Sequence, residues 1–252
     1  MIKKDDYIAV FDSGVGGISV LRHLMAQLPG ERFYYLGDSA NAPYGTKTRE
    51  EVRQLSFAAA DYLKSKGIKA LVIACNTATS AAVQDLREAN PDLIVIGIEP
   101  ALKLAADRFP GGSIGVMATP MTLKEEKFAN LLERFARQNT IFKIPAPGLV
   151  ELIEGNKADS PEAEALLRPL FEGLPPLDAL VLGCTHYPFA KEVLSRILPG
   201  TALLDGGEGT ARETKRRLAE AGLLRHGKGE LILENSKGDP RLIRLSYQLL
   251  EE

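Results

Sequence analysis

Short β-rich runs, some of them apolar on both faces such as "ALVIA" from Ala70, alternate along this chain with longer stretches in which apolar residues recur every three or four positions. The first pattern suits strands buried on both faces, the second amphipathic helices. The runs predict strands at 7–11, 33–36, 69–74, 92–97, 113–118, 140–143, 178–183, 201–204 and 229–233. Between them, helices are expected at 17–28, 48–65, 77–89, 120–138, 161–172, 188–197 and 207–222, with 239–251 closing the chain. Thr48 followed three residues later by Glu51 has the form of a capping box. Thr119-Pro120 suits an N-cap followed by a proline in the first turn. The alternation predicts an α/β fold with mostly parallel sheets flanked by helices.

The pattern also repeats itself. "IAVFDSGVGGISVLRHL" from Ile8 resembles "IGVMATPMTLKEEKF" from Ile114: strand, polar turn, helix. "ALVIACNTATS" from Ala70 resembles "ALVLGCTHYPFA" from Ala179, at nearly the same offset. A repeat this long is no solenoid period. It predicts two similar α/β domains, 1–98 plus 208–252 carrying Cys75, and 99–207 carrying Cys184. Each cysteine is expected at the carboxyl end of a strand and ahead of a helix, the edge where open α/β sheets bind ligands. If the domains face one another, the thiols face one another across an interdomain cleft.

Composition narrows the partners. The chain has 252 residues, 45% hydrophobic and 25% charged, a net charge of −2 and a mean hydropathy of −0.06. These values fit a globular protein and leave no electrostatic footprint for nucleic acid or an anionic membrane. The densest basic run, "ETKRRLAE" from Glu213, mixes both signs at helical spacing and reads as a solvated helix face. No apolar run is long enough to span a bilayer, and the one behind "MIKKDD" is too short for a signal peptide. The cytoplasm is therefore the expected compartment.

The two cysteines, Cys75 and Cys184, admit several uses. Either alone reads as a small buried core residue. A zinc site would need carboxylates brought in from elsewhere, since there are three histidines and no CxxC pair. A redox dithiol is normally CxxC. Cys184 with His186 could form a nucleophile–base pair, but that leaves Cys75 without a role. The shared context of the two thiols favours a fourth use. Inverting a stereocentre needs one base to take the Cα proton from one face and an acid to deliver a proton to the other. A thiol, with an ordinary pKa of about 8.5, can serve as either near neutral pH once tuned.

"FDSGVGGISVL" (11–21), "GDSANAPYGTK" (37–47), "ACNTATS" (74–80) and "LGCTHYPF" (182–189) stand in an order and spacing that resemble the bacterial glutamate racemases. That family belongs to the cofactor-independent aspartate/glutamate racemase superfamily, and the resemblance covers roughly 7–245. It implies that Cys75 and Cys184 are the catalytic acid/bases, Cys75 serving D-glutamate and Cys184 L-glutamate. Asp12 would assist Cys75, and His186 would assist Cys184. Ser13, Pro43, Tyr44, Gly45, Thr46, Asn76, Thr77 and Thr185, with Asp12 and His186, would hold the substrate. Hydroxyls, an amide and backbone N–H groups are suited to gripping a small dianionic amino acid. The resemblance implies no pyridoxal phosphate and no metal, a homodimer, and a supply of D-glutamate for peptidoglycan.

One stretch departs from the family. "PAPGLVELIEGN" (145–156) has Ala146 where a further cysteine usually stands, and Glu151 where a proline is common. Counting from Pro147 makes Glu154 the supporting glutamate, with Glu151 one helical turn earlier. "LLDGGEGTA" (203–211) is also richer in glycine than the usual form. "GVGG" (14–17) lacks the endings of both a P-loop and a dinucleotide fingerprint, and lets the backbone approach a substrate closely. His23 and His226 read as structural or solvated. Competing functions are an aspartate or broad-specificity racemase, a decarboxylase of the same superfamily, and a non-catalytic two-lobed amino-acid-binding module. The decarboxylase manages with one cysteine, and the binding module gives no reason for two.

Overall fold

Ile68–Ile73 (β3) is buried at all six positions, as a parallel strand covered by helices on both faces must be. Leu71, Val72 and Ile73 are each at most 1% exposed, and burying such a side chain contributes about 1.5–3 kcal/mol. This strand pairs with β1 (Tyr7–Asp12) on one side and β4 (Ile94–Gly97) on the other. β2 (Arg32–Gly37) pairs with β1, and β9 (Glu230–Asn235) closes the sheet against β2. Every pairing is parallel, in the order β4-β3-β1-β2-β9.

The computed structural model describes residues 2–98, 101–124 and 132–251. Two compact units emerge, Met1–Glu99 with Gly207–Glu252 and Pro100–Gly206. The first holds the five-stranded sheet. The second holds a four-stranded parallel sheet of β5 (Ser113–Ala118), β6 (Thr140–Pro145), β7 (Ala179–Leu182) and β8 (Ala202–Leu204), in the order β6-β5-β7-β8. Its core packs Leu102 and Ala105 against Ile114, Val116 and Val181.

Read from β8, the second sheet runs β8-β7-β5-β6, the same order as β4-β3-β1-β2 in the first. The register matches too. Phe11 pairs with Ile73 in one unit, and Met117 with Leu182 in the other. Just past these pairs, Ala74 N–H donates to Phe11 O at 2.8 Å, and Gly183 N–H to Met117 O at 2.7 Å. The internal echo in the sequence is therefore an echo of topology, and the two cysteines leave corresponding strands.

Helices fall where the apolar periodicity places them, including Ile18–Gln27, Arg49–Ser65 and Asn76–Ala89. The capping box forms as expected: Glu51 N–H donates to Thr48 Oγ1 at 3.3 Å, and Thr48 N–H to Glu51 Oε2 at 2.7 Å. Thr119 Oγ1 accepts from Thr122 N–H at the head of Pro120–Lys124. Of the helix expected over 120–138, the part at 125–131 lies outside the described residues, and 132–136 is helical. Ala101–Arg108 and Leu149–Glu154 add to the expected set. The stretch expected as one helix over 161–172 turns 3₁₀ at Arg168–Phe171, where Pro169 brings no N–H to the ladder.

Candidate active site

In the first unit the functional side chains collect where β1, β2 and β3 end. Asp12 closes β1 and is fully buried, its Oδ1 accepting from Gly14 N–H at 3.0 Å. Ser13 follows it, and the Cys75 thiol donates to Ser13 Oγ at 3.5 Å. Cys75 is the N-cap of Asn76–Ala89, with extended backbone (φ −60°, ψ 122°), and Ala78 N–H donates to its sulfur at 3.4 Å. A helix N-terminus with an N–H aimed at sulfur stabilises negative charge there. Asn76 and Thr77 are the first two residues of the same helix, Thr77 buried and Asn76 half-buried.

This close gathering depends on two glycines. A Cβ on Gly17 would lie 2.6 Å from Asp12 Cβ, and one on Gly37 would lie 2.4 Å from Gly14 O. Only hydrogen fits at either place. Tyr35 adds a clamp from beneath, its hydroxyl donating to Gly14 O at 2.6 Å.

The loop after β2 brings Pro43, Tyr44, Gly45 and Thr46 to the same end of the sheet, Tyr44–Thr46 as a 3₁₀ turn packed on the helix that begins at Asn76. Pro43 and Thr46 are exposed, Gly45 is half-buried and Tyr44 is buried. Burial above all holds the Tyr44 phenol far above its ordinary range. Its hydrogen bond to Asp38 and the nearby charges of Asp38, Cys75 and Asp12 push the same way. The loop is tied down by Asp38, whose carboxylate accepts from Tyr44 Oη at 2.7 Å, Ser236 Oγ at 2.7 Å, and Asn41 Nδ2 at 3.0 Å to each oxygen.

In the second unit Cys184, Thr185 and His186 follow β7. Cys184 is half-buried, whereas Thr185 and His186 are 4% and 5% exposed. His186 Nδ1 lies 3.9 Å from Cys184 Sγ, and its Nε2 lies 3.0 Å from Glu154 Oε1. Glu154 ends the helix Leu149–Glu154, where Gly148 at the N-cap takes φ +86°. Glu154, not the exposed Glu151, is the carboxylate on the histidine. Tyr187 is fully buried and donates to Ala146 O at 3.1 Å, which joins the two segments. Burial, then the charges of Cys184 and Glu151, raise the Tyr187 phenol strongly.

The expectation that each cysteine heads a helix holds for Cys75 alone. After Cys184 the chain makes a turn and the 3₁₀ segment Tyr187–Ala190, and the α-helix begins only at Lys191. Pro188 supplies no N–H and restricts the residue before it, which delays the helix. The sulfurs therefore sit in different surroundings: Cys75 at a helix N-terminus with an N–H donor, Cys184 beside an imidazole backed by a carboxylate. An imidazole within reach of a thiol can take or return its proton, and a carboxylate on the far nitrogen fixes the ring and steadies its charged form. Asp38, Tyr35 and Tyr187 belong to these clusters and were not expected from sequence. The "GDSANAPYGTK" motif contains Asp38, but nothing in its spacing tells a support from a binding residue. Among the described residues, no group of three or more His, Cys, Asp or Glu could hold a metal ion, and no helix is long and apolar enough to cross a membrane.

Comparison with known proteins places the chain in a family. Residues 15–214 match the family model described as Asp/Glu/hydantoin racemase. The glutamate racemase of Clostridium acetobutylicum is 48% identical over 255 residues, covering 100% of both chains. The crystal structure of Francisella tularensis glutamate racemase in complex with D-glutamate superposes with a TM-score of 0.86 at 29% identity, covering 99% of this chain and 95% of that one. Escherichia coli glutamate racemase, in complex with L-glutamate and the activator UDP-MurNAc-Ala, gives 0.82 at 31% identity, covering 96% and 95%.

Proposed function

The chain belongs to the Asp/Glu/hydantoin racemase family, and from that premise we propose that it interconverts L- and D-glutamate by a two-base proton transfer at Cα. The observation that carries this reading is the pair of thiols leaving corresponding strands of two sheets with the same order, each with its own partner groups. A single-base enzyme has no use for the second. Relatives named glutamate racemase, matched over the full length, support glutamate over aspartate. A pocket separates those substrates by only about 1–3 kcal/mol for one methylene.

With D-glutamate, the Cys75 thiolate takes the Cα proton, and the C–H electron pair stays on carbon as a carbanion. The Cys184 thiol then delivers its proton to the opposite face, leaving its electron pair on sulfur as a thiolate. L-Glutamate runs the sequence backwards. Asp12 assists on the Cys75 side; on the other, Glu154 holds His186, which exchanges the proton of Cys184. Ser13, Asn76, Thr77, Thr185, His186 and the Pro43–Thr46 loop grip the carboxylates and ammonium. The mechanism requires the thiols to address opposite faces of one carbon. It asks nothing of pyridoxal phosphate or a metal. The product's place is the supply of D-glutamate for peptidoglycan, in the cytoplasm, from a homodimer.

The test is activity on single isomers. Purified protein treated with a chelator is given L-glutamate, D-glutamate or either isomer of aspartate, and circular dichroism follows the optical activity. Loss of rotation from both glutamate isomers, much faster than from aspartate, is the expected result. Faster racemisation of aspartate would overturn the substrate, and no change in any amino acid would favour a binding module.

A further inference from the structure

We propose that Asp38 is a positioning residue that ties the loop Pro43–Thr46 to the carboxyl end of β9 and thereby sets substrate affinity, an inference that rests on the reading of that loop as substrate-binding. Asp38 follows β2 directly, is 7% exposed, and its own N–H donates to Asp12 O at 2.8 Å. It is thus anchored to the end of β1 before its side chain does anything. Three donors from separate places converge on its carboxylate: Asn41 within the loop, Tyr44 in the 3₁₀ turn, and Ser236 beyond β9. A carboxylate is the side chain that accepts from all three without offering a competing donor.

The far end of this link is itself fixed. Ser236 N–H donates to Gly37 O at 2.9 Å, Ser236 Oγ accepts from Ala40 N–H at 3.0 Å, and Asn235 Nδ2 donates to Ser39 Oγ at 2.8 Å. Ser236 therefore takes a proton donor from the loop and gives its own hydroxyl to Asp38. Pairing with β2 holds β9 in the sheet, and Asp38 joins the residue just beyond it, Ser236, to the 3₁₀ turn at Tyr44. Asp38 touches no reacting atom in the mechanism above; it acts through Tyr44 and the backbone of the loop.

The experiment compares Asp38→Asn, Ser236→Ala and Tyr44→Phe with the unaltered protein. Replacing one carboxylate oxygen of Asp38 by an amide turns a donor toward donors, so Asp38→Asn should raise KM and the Kd for both glutamate isomers by about tenfold or more. Because the loop serves both isomers, kcat should fall far less, and equally in both directions. Ser236→Ala, which is milder, should shift KM in the same sense. The effect of Asp38→Asn should shrink in a Tyr44→Phe background, since the two share one contact. Hydrogen exchange without substrate supplies the second readout. In Asp38→Asn, amides Ala40, Asn41 and Lys47 should lose protection while those of β1 and β3 keep it. Unchanged loop protection, or a fall in kcat with KM and Kd unchanged, would overturn the inference. If glutamate proves not to be the substrate, the exchange arm still decides the role of Asp38, and the failure lies with the functional reading alone.

Discussion

At the scale of single residues, the two thiols are served by different chemistry, and substitutions should reveal the difference. Cys75 has a helix N-terminus and Ser13, whereas Cys184 has His186 and, behind it, Glu154. In the proposed mechanism His186→Asn removes the group that exchanges the Cys184 proton, so kcat should fall by about 10²-fold or more, with the proton transfer at Cys184 slowed more than that at Cys75. A primary isotope effect measured with Cα-deuterated substrate in each direction reads the asymmetry. Glu154→Gln keeps the side-chain length and loses the charge, and the same assay should show a smaller loss in the same direction. Isotope effects that stay equal in both directions would mean that His186 serves the fold rather than one thiol. The cysteines and His186 were legible because each stands in a motif beside a strand end. Glu154 was legible only by counting from Pro147, and its separation from Glu151 needed the helix Leu149–Glu154 to be seen turning one carboxylate onto the imidazole.

At the scale of elements, Lys69 is the clearest departure from a sequence reading. It sits within β3 and is fully buried. Its Nζ donates to Lys4 O at 2.6 Å and Leu223 O at 2.9 Å. Glu31 Oε2 lies 2.5 Å from the same nitrogen, and Glu31 Oε1 accepts from Arg225 N–H at 2.8 Å. Burial pushes the Lys69 ammonium below its ordinary range, and Glu31 pulls it back. This strut holds the first residues, the turn before β2 and the segment after Gly207–Glu220 to the amino end of the sheet, away from the thiol end. Lys69→Met should cost about 3–5 kcal/mol by leaving Glu31 charged and buried, whereas Lys69→Met with Glu31→Leu should cost much less. Urea unfolding of both variants checks this; equal losses would show that the two side chains do not act as a pair. A lysine between isoleucine and alanine gives no sign that it turns inward, since the partners that make its burial tolerable come from three distant parts of the chain. The capping box at Thr48, by contrast, was legible because both halves lie within four residues.

At the scale of the whole molecule, the order of strands was legible in outline because the sequence repeats, and the repeat is a repeat of sheet order and register. What the repeat concealed is that its two halves diverge after the cysteine, where a turn and the 3₁₀ segment containing Pro188 stand in place of the α-helix that begins at Asn76. Stability against alkali is a property of the molecule as a whole. Tyr44 and Tyr187 ionise in the unfolded chain near 10.0 and are raised well above that in the fold. Their contribution is therefore fully present below pH 10 and is lost as pH rises beyond it, at about 3 kcal/mol per pH unit for the two together. Unfolding midpoints between pH 9 and 11 should fall accordingly, and a double Tyr44→Phe, Tyr187→Phe variant should fall less steeply; equal slopes would contradict the burial of these phenols.

The proposed two-base transfer requires one thiol for each face of the substrate Cα, and Cα deuterium incorporation in D₂O tests that requirement. The wild-type protein and its Cys75→Ala and Cys184→Ala variants are each given L- and D-glutamate, with NMR following deuterium and circular dichroism following inversion. Wild-type protein should incorporate deuterium with inversion from either isomer, and each variant should lose inversion of both. Undiminished inversion in either variant would mean that one thiol suffices and would contradict the two-base mechanism.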